Sequence, residues 1–173
     1  ILFAYILYKI NYIKNEVIFM KKEVLIGGGQ GFWGDSPDAA IDMVKNGNLN
    51  YLACDYLAEL TMSILQRQKS TGYARDFIDL FKVIAKESYE KNIKIISNAG
   101  GVNIEEAVKQ IKNIAEENKM SGYKIGYVLG DDLKEKLPEL LKEGYEFINS
   151  DNGRKLIEIQ DKILNANVYF GRE

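Results

Sequence analysis

Histidine is missing from the chain of 173 residues, and cysteine occurs once. The first absence excludes a Ser-His-Asp or Cys-His apparatus, a zinc ion held by imidazole and a histidine pH switch. Proton transfer therefore falls to carboxylates, lysine, tyrosine or Cys54. The second excludes an intrachain disulfide and fits a reducing, cytoplasmic setting. Neither sign of charge dominates: Lys and Arg number 23 against 25 Asp and Glu, and no lysine-rich block occurs. The electrostatic footprint of a nucleic-acid-binding protein is lacking. Long apolar runs are lacking too, because the run over residues 1–8 is halted by Lys9, well short of the about 20 residues that cross a bilayer. No membrane partner is expected.

What is present, 46% hydrophobic and 28% charged residues, is the composition of one soluble globular domain. The first 19 residues stand apart. Nearly all of them come from six types, Ile, Tyr, Leu, Phe, Lys and Asn, which is what translated A+T-rich DNA ahead of a start codon yields, and the first methionine is Met20. Residues 1–19 therefore read as a non-native leader, and residues 20–173 as a single α/β domain.

From Met20 onward short β-type runs alternate with longer stretches of helical period. That is the pattern of an α/β fold, an open, mainly parallel, Rossmann-like sheet with helices on both faces. Strands are expected at residues 24–26, 51–54, 93–96 and 125–129, and near 167–170. Ser36 and Pro37 predict a helix start, with serine as cap, and Gly47 its end. In the next helix Leu57, Leu60, Ile64 and Leu65 share a face, and in the one over residues 74–91 Phe77, Phe81, Ile84 and Ala85 do. Asn103 with Glu106, and Asp132 with Glu135, form capping patterns for two later helices, the second stopped by Gly144. Residues 145–162 fit a helix by their Leu156, Ile159 and Ile163 spacing, and a hairpin by Asn152-Gly153.

In an open parallel sheet, ligands bind beyond the carboxyl ends of the strands. In this chain those ends collect the unusual residues: 27–36, Asp55 to Glu59, 98–103 and 130–132. Gly29, Gly31 and Gly34 satisfy the spacing of a dinucleotide fingerprint, and Asp55 lies 21 residues past Gly34. Two features oppose that alternative. Ser36-Pro37 starts the helix beyond the last glycine, and Asp35 sets a negative charge where phosphates would lie. Asp55 and Glu59, four apart, share one side of a first turn if Asp55 begins the helix. With Asp35 or Asp131-Asp132 they could hold Mg²⁺ or Mn²⁺, or act as acid and base; as first-turn carboxylates they also simply favour the helix dipole. Asn98, Gly100, Gly101 and Asn103 form a loop whose amides can approach a phosphate or carboxylate, or a plain strand-to-helix turn. Cys54 in its apolar run reads as buried filler, and Arg75 as either a partner for a ligand carboxylate or a surface arginine.

Residues 31–39 (Gly-Phe-Trp-Gly-Asp-Ser-Pro-Asp-Ala), 55–68, 72–77, 98–103 and 130–133, taken together, resemble the N-terminal domain of the acyclic terpene utilisation, AtuA-type, family. The resemblance spans Met20 to the end, and five motifs in order make it specific. Cys54 stands where the family more usually has a bulky apolar residue. Family members are longer, so the resemblance implies a chain truncated inside the domain. It implies a catabolic protein that handles branched acyl-CoA thioesters, with the reaction unassigned. The ligand candidates are then Gly29, Gly31, Gly34, Asp35, Ser36, Asn98, Gly100, Gly101, Asn103 and Asp131, with Asp55 and Glu59 as the catalytic or metal-binding pair. A non-catalytic subunit beside a carboxylase partner is the alternative. An uncovered apolar face around Val168, Tyr169 and Phe170 leads to an expectation of self-association as a homo-oligomer. A chain beginning at Met20 is expected to unfold at the same denaturant concentration as the full one; a loss above about 1 kcal/mol would make the leader part of the fold.

Overall fold

The computed structural model describes residues 23–68 and 71–168, which divide into two compact units, one running to Tyr127 and one starting at Val128. Residues 1–19, expected above to be a leader, together with Tyr169 and Phe170, lie outside the described residues.

In the first unit, β1 (Ile26–Gln30), β2 (Tyr51–Cys54) and β3 (Lys94–Ser97) form a parallel sheet in the order β1-β2-β3. Leu52 of β2 sits between Gly27 and Ile95, and Cys54 between Gln30 and Ser97. The expected open, parallel Rossmann-like sheet is present. Helix α1 (Asp38–Asn46) connects β1 to β2, and α2 (Glu59–Gln68) with α3 (Arg75–Glu90) connects β2 to β3. A sheet that advances in one direction through crossovers of the usual right hand sets its connecting helices on one face. Accordingly α1 packs beside α3, and α3 beside α4 (Ile104–Glu117). Leu52 and Cys54 point into that layer and are fully buried, whereas Tyr51, Ala53 and Ile96 face the other way and are half-buried.

Strand β1 lies further along than residues 24–26 and runs through the glycines themselves. The reason is close packing. A Cβ on Gly29 would sit 2.9 Å from Leu52 and 3.0 Å from Ala40, so only glycine lets α1 approach the sheet there. Helix α3 places Phe77, Phe81, Ile84 and Ala85 in the core, as its period predicts. In α2 the period misleads. Leu65 is buried, but Leu60 is 70% exposed and Ile64 is also on the surface. Asn103 caps α4 by accepting the Glu106 N–H at 3.3 Å, but the Glu106 side chain turns to Gln110 instead of closing a capping box.

Residues 125–129 are not a strand. They have strand chemistry but pair with no described strand, and β preference without a neighbour does not make a strand. In the second unit Asp132 accepts the Lys134 N–H at 2.8 Å and begins a 3₁₀ turn that continues into α5 (Leu137–Lys142). Gly144, at φ 93°, ends it. The hairpin reading of Asn152-Gly153 holds, since Ile148 pairs antiparallel with Lys155 around that turn. Of the expected last strand, Asn167 makes a single bridge to Asp132. Among the described residues no helix is long and apolar enough to cross a membrane.

Gly101 is held to glycine twice over: φ is 56°, and a Cβ would lie 2.5 Å from the Gly72 carbonyl oxygen. Gly101→Ala is expected to cost about 1–3 kcal/mol in urea unfolding. A change below about 0.5 kcal/mol would mean that the loop relaxes freely.

Candidate functional site

The carboxyl ends of the three strands carry loops 31–37, 55–58 and 98–103, and these are joined by side chains. In the first, Asp35 bends back on its own loop: Oδ2 accepts the Gly31 N–H at 3.0 Å and Oδ1 the Ser36 N–H at 2.8 Å. Ser36 Oγ accepts the Asp38 N–H at 3.2 Å, but α1 starts one residue later than predicted, with Pro37 at its cap position in place of Ser36. The helix thus begins beyond Gly34, and Asp35 occupies amides that a pyrophosphate would otherwise use.

Two residues that sequence reasoning passed over hold this loop to the next. Gln30, buried at the end of β1, donates to the Asp35 carbonyl at 2.9 Å and accepts from the Tyr56 hydroxyl. Tyr56 is 1% exposed and packs edge-on against Phe77 at 5.6 Å. Burial, before the neighbouring negative groups, pushes its phenol well above the ordinary tyrosine range, which keeps it a donor. Trp33 donates to Asp76 Oδ1 at 2.8 Å, tying the glycine loop to the start of α3. The one available signal was a glutamine inside a glycine-rich strand, which must find partners once buried.

Asn98 organises the second and third loops. Its Oδ1 accepts the Tyr56 N–H at 2.7 Å and the Leu57 N–H at 3.2 Å, while Nδ2 donates to Asp55 Oδ1 at 2.7 Å and to the Leu57 carbonyl at 2.9 Å. All four of its hydrogen-bonding positions are filled. Asp55 is therefore not the first residue of α2. It sits in the loop ahead of Glu59, and Thr61 caps the helix by accepting the Ala58 N–H at 2.6 Å, so the two carboxylates do not share a first turn. Asp55 Oδ2 and the exposed Glu59 carboxylate have no hydrogen-bond partner among the described residues.

The 98–103 loop uses most of its amides internally. Ala99 N–H goes to Ser97, Val102 N–H to the Gly72 carbonyl and Asn103 N–H to the Gly100 carbonyl. Gly100 and Gly101 fit against Ile104 and the Gly72 carbonyl respectively. Cys54 is fully buried, and desolvation pushes its thiol up to about 12, so it carries no thiolate near neutrality. Asp131 lies in the second unit, where its carboxylate accepts from Asn167 at 3.0 Å. Among the described residues no three Cys, Asp or Glu side chains gather to hold a metal ion.

The family model described as acyclic terpene utilisation family protein AtuA matches residues 24–173. The chain belongs to the AtuA family. No curated protein and no solved structure matches it. In this AtuA-family chain the loops after β1, β2 and β3 thus become parts of one hydrogen-bonded edge of the first unit. Replacing Asn98 by Ala orphans the Tyr56 and Leu57 amides and frees Asp55. We expect Asn98→Ala to lose about 2–4 kcal/mol in chemical denaturation. A loss within about 0.5 kcal/mol would show that water replaces the amide without cost.

Proposed function

We propose that this chain is the N-terminal part of an AtuA-type catabolic protein whose strand-end loops bind an acidic organic ligand, of which branched acyl-CoA thioesters are the best-fitting class. One observation carries the reading. At an edge where the buried polar side chains are paired, Asp55 keeps one carboxylate oxygen open while Asn98 holds the other. A carboxylate fixed at one oxygen and open at the second suits proton transfer to or from a bound ligand, with Glu59 nearby in sequence as the second acid-base group. The open parallel sheet and the family membership support the location and the ligand class.

Titration calorimetry with branched acyl-CoAs, with and without Mg²⁺, is expected to give saturable binding. Asp55→Asn should leave that binding in place, since it removes a negative charge, and should slow any chemical change of the bound thioester at least about 100-fold, as followed by mass spectrometry of the recovered ligand. Absence of binding in both conditions would overturn the reading.

A further inference from the structure

The edge just described presents carboxylates to a ligand proposed to be acidic, which raises the question of what attracts it. Loops 31–37, 55–58, 71–74 and 98–103 contain no lysine or arginine, and neither do the first turns of α1, α2 and α4. Among the described residues of those loops and first turns, Arg75, the first residue of α3, is the one cation.

Its neighbours in sequence fix where it stands. Ala74 donates its N–H to the Ala99 carbonyl at 2.9 Å, in the 98–103 loop. Asp76 accepts from Trp33 at 2.8 Å, in the glycine loop. Arg75 is therefore anchored on both sides, between the two loops to which ligand binding is assigned. It is exposed and makes no ion pair or hydrogen bond among the described residues. Natural partners lie close in sequence but are engaged elsewhere: Asp76 by Trp33, and Asp79, one turn along the helix, by Lys82 at 3.2 Å. The guanidinium is left with its fork of donors open, the geometry that takes a carboxylate or phosphate through two parallel hydrogen bonds.

We propose that Arg75 recognises the acid group of the ligand, an oxyanion received between the glycine loop and the 98–103 loop. This rests on the reading that the strand-end edge binds an acidic ligand. An oxyanion entering beside Asp35 and Asp55 meets repulsion, and Arg75 supplies the opposing charge. The oxyanion has two possible sources, the phosphates of CoA or the carboxylate of a free branched acid.

The test is calorimetric titration of the full chain, as wild type, Arg75→Gln, Arg75→Lys and the control Lys112→Gln, with 3-methylbutanoyl-CoA, CoA and 3-methylbutanoate. Arg75→Gln is expected to weaken binding at least about tenfold with an unchanged melting curve, and to reduce the salt dependence of affinity. Arg75→Lys should fall between it and wild type, because lysine keeps the charge and loses the fork. Lys112→Gln should match wild type. Weakened CoA binding assigns the phosphates, and weakened binding of the free acid assigns the carboxylate. Should Arg75→Gln not fold, the Arg75→Lys comparison decides alone. Wild-type affinity in the Arg75 variants overturns the proposal while leaving the ligand class intact. A wild-type chain that binds none of the three overturns both.

Discussion

Three parallel strands ending side by side bring polar residues into a place that water cannot fully reach, and each of those groups needs a partner inside the protein. That constraint shapes the whole carboxyl edge of the first unit. Gln30 takes the Tyr56 hydroxyl and serves the Asp35 carbonyl, and Asn98 spends both ends of its amide on the loop after β2. Among the described residues no buried side-chain polar atom is left without a partner. In each case a side chain from one strand end closes the backbone of another, so the loops are positioned by one another as well as by their own turns.

Glycine contributes to the same edge through the space it leaves open. Gly29 admits α1 to the sheet, and Gly101 brings the 98–103 loop against Gly72, just ahead of α3. With α1 and α3 held side by side over Leu52 and Cys54, the start of α3 is set against both flanking loops. Asn98 spends its amide on holding the loops, whereas Arg75 is exposed and has no partner among the described residues.

Charge along this edge follows from the same division. Asp35 has both oxygens engaged by backbone amides, and Asp76 is held by Trp33, so these carboxylates are structural as well as electrostatic. Asp55, like Asp76, keeps one oxygen without a partner among the described residues, and differs in being held by a side-chain amide instead of an indole. The carboxylates that look alike in the sequence are thus distinguished by which donors reach them.

Much of the fold was legible because its signals are local. Alternation of β-type and helical runs gave the α/β class, β2 coincides with its predicted limits, and α3 and α4 follow from apolar spacing and the Asn103 cap. Where a residue's state depends on a distant neighbour, the local signal failed. Residues 125–129 have the composition of a strand without a described pairing partner, and Leu60 has core spacing on a helix side that nothing in the first unit covers. That the loops after β1, β2 and β3 meet at one edge could be read from the strand ends alone, since the topology of parallel sheets dictates it. The roles of its residues could not. Asp55 and Asn98 are 43 positions apart, as are Trp33 and Asp76, and no local pattern encodes a hydrogen bond over that separation. The sequence by itself determined which residues arrive at the edge, through strand and turn chemistry; only the tertiary structure decided which of them are consumed in holding it and which stay free, because hydrogen-bond partners are allotted by contact in space.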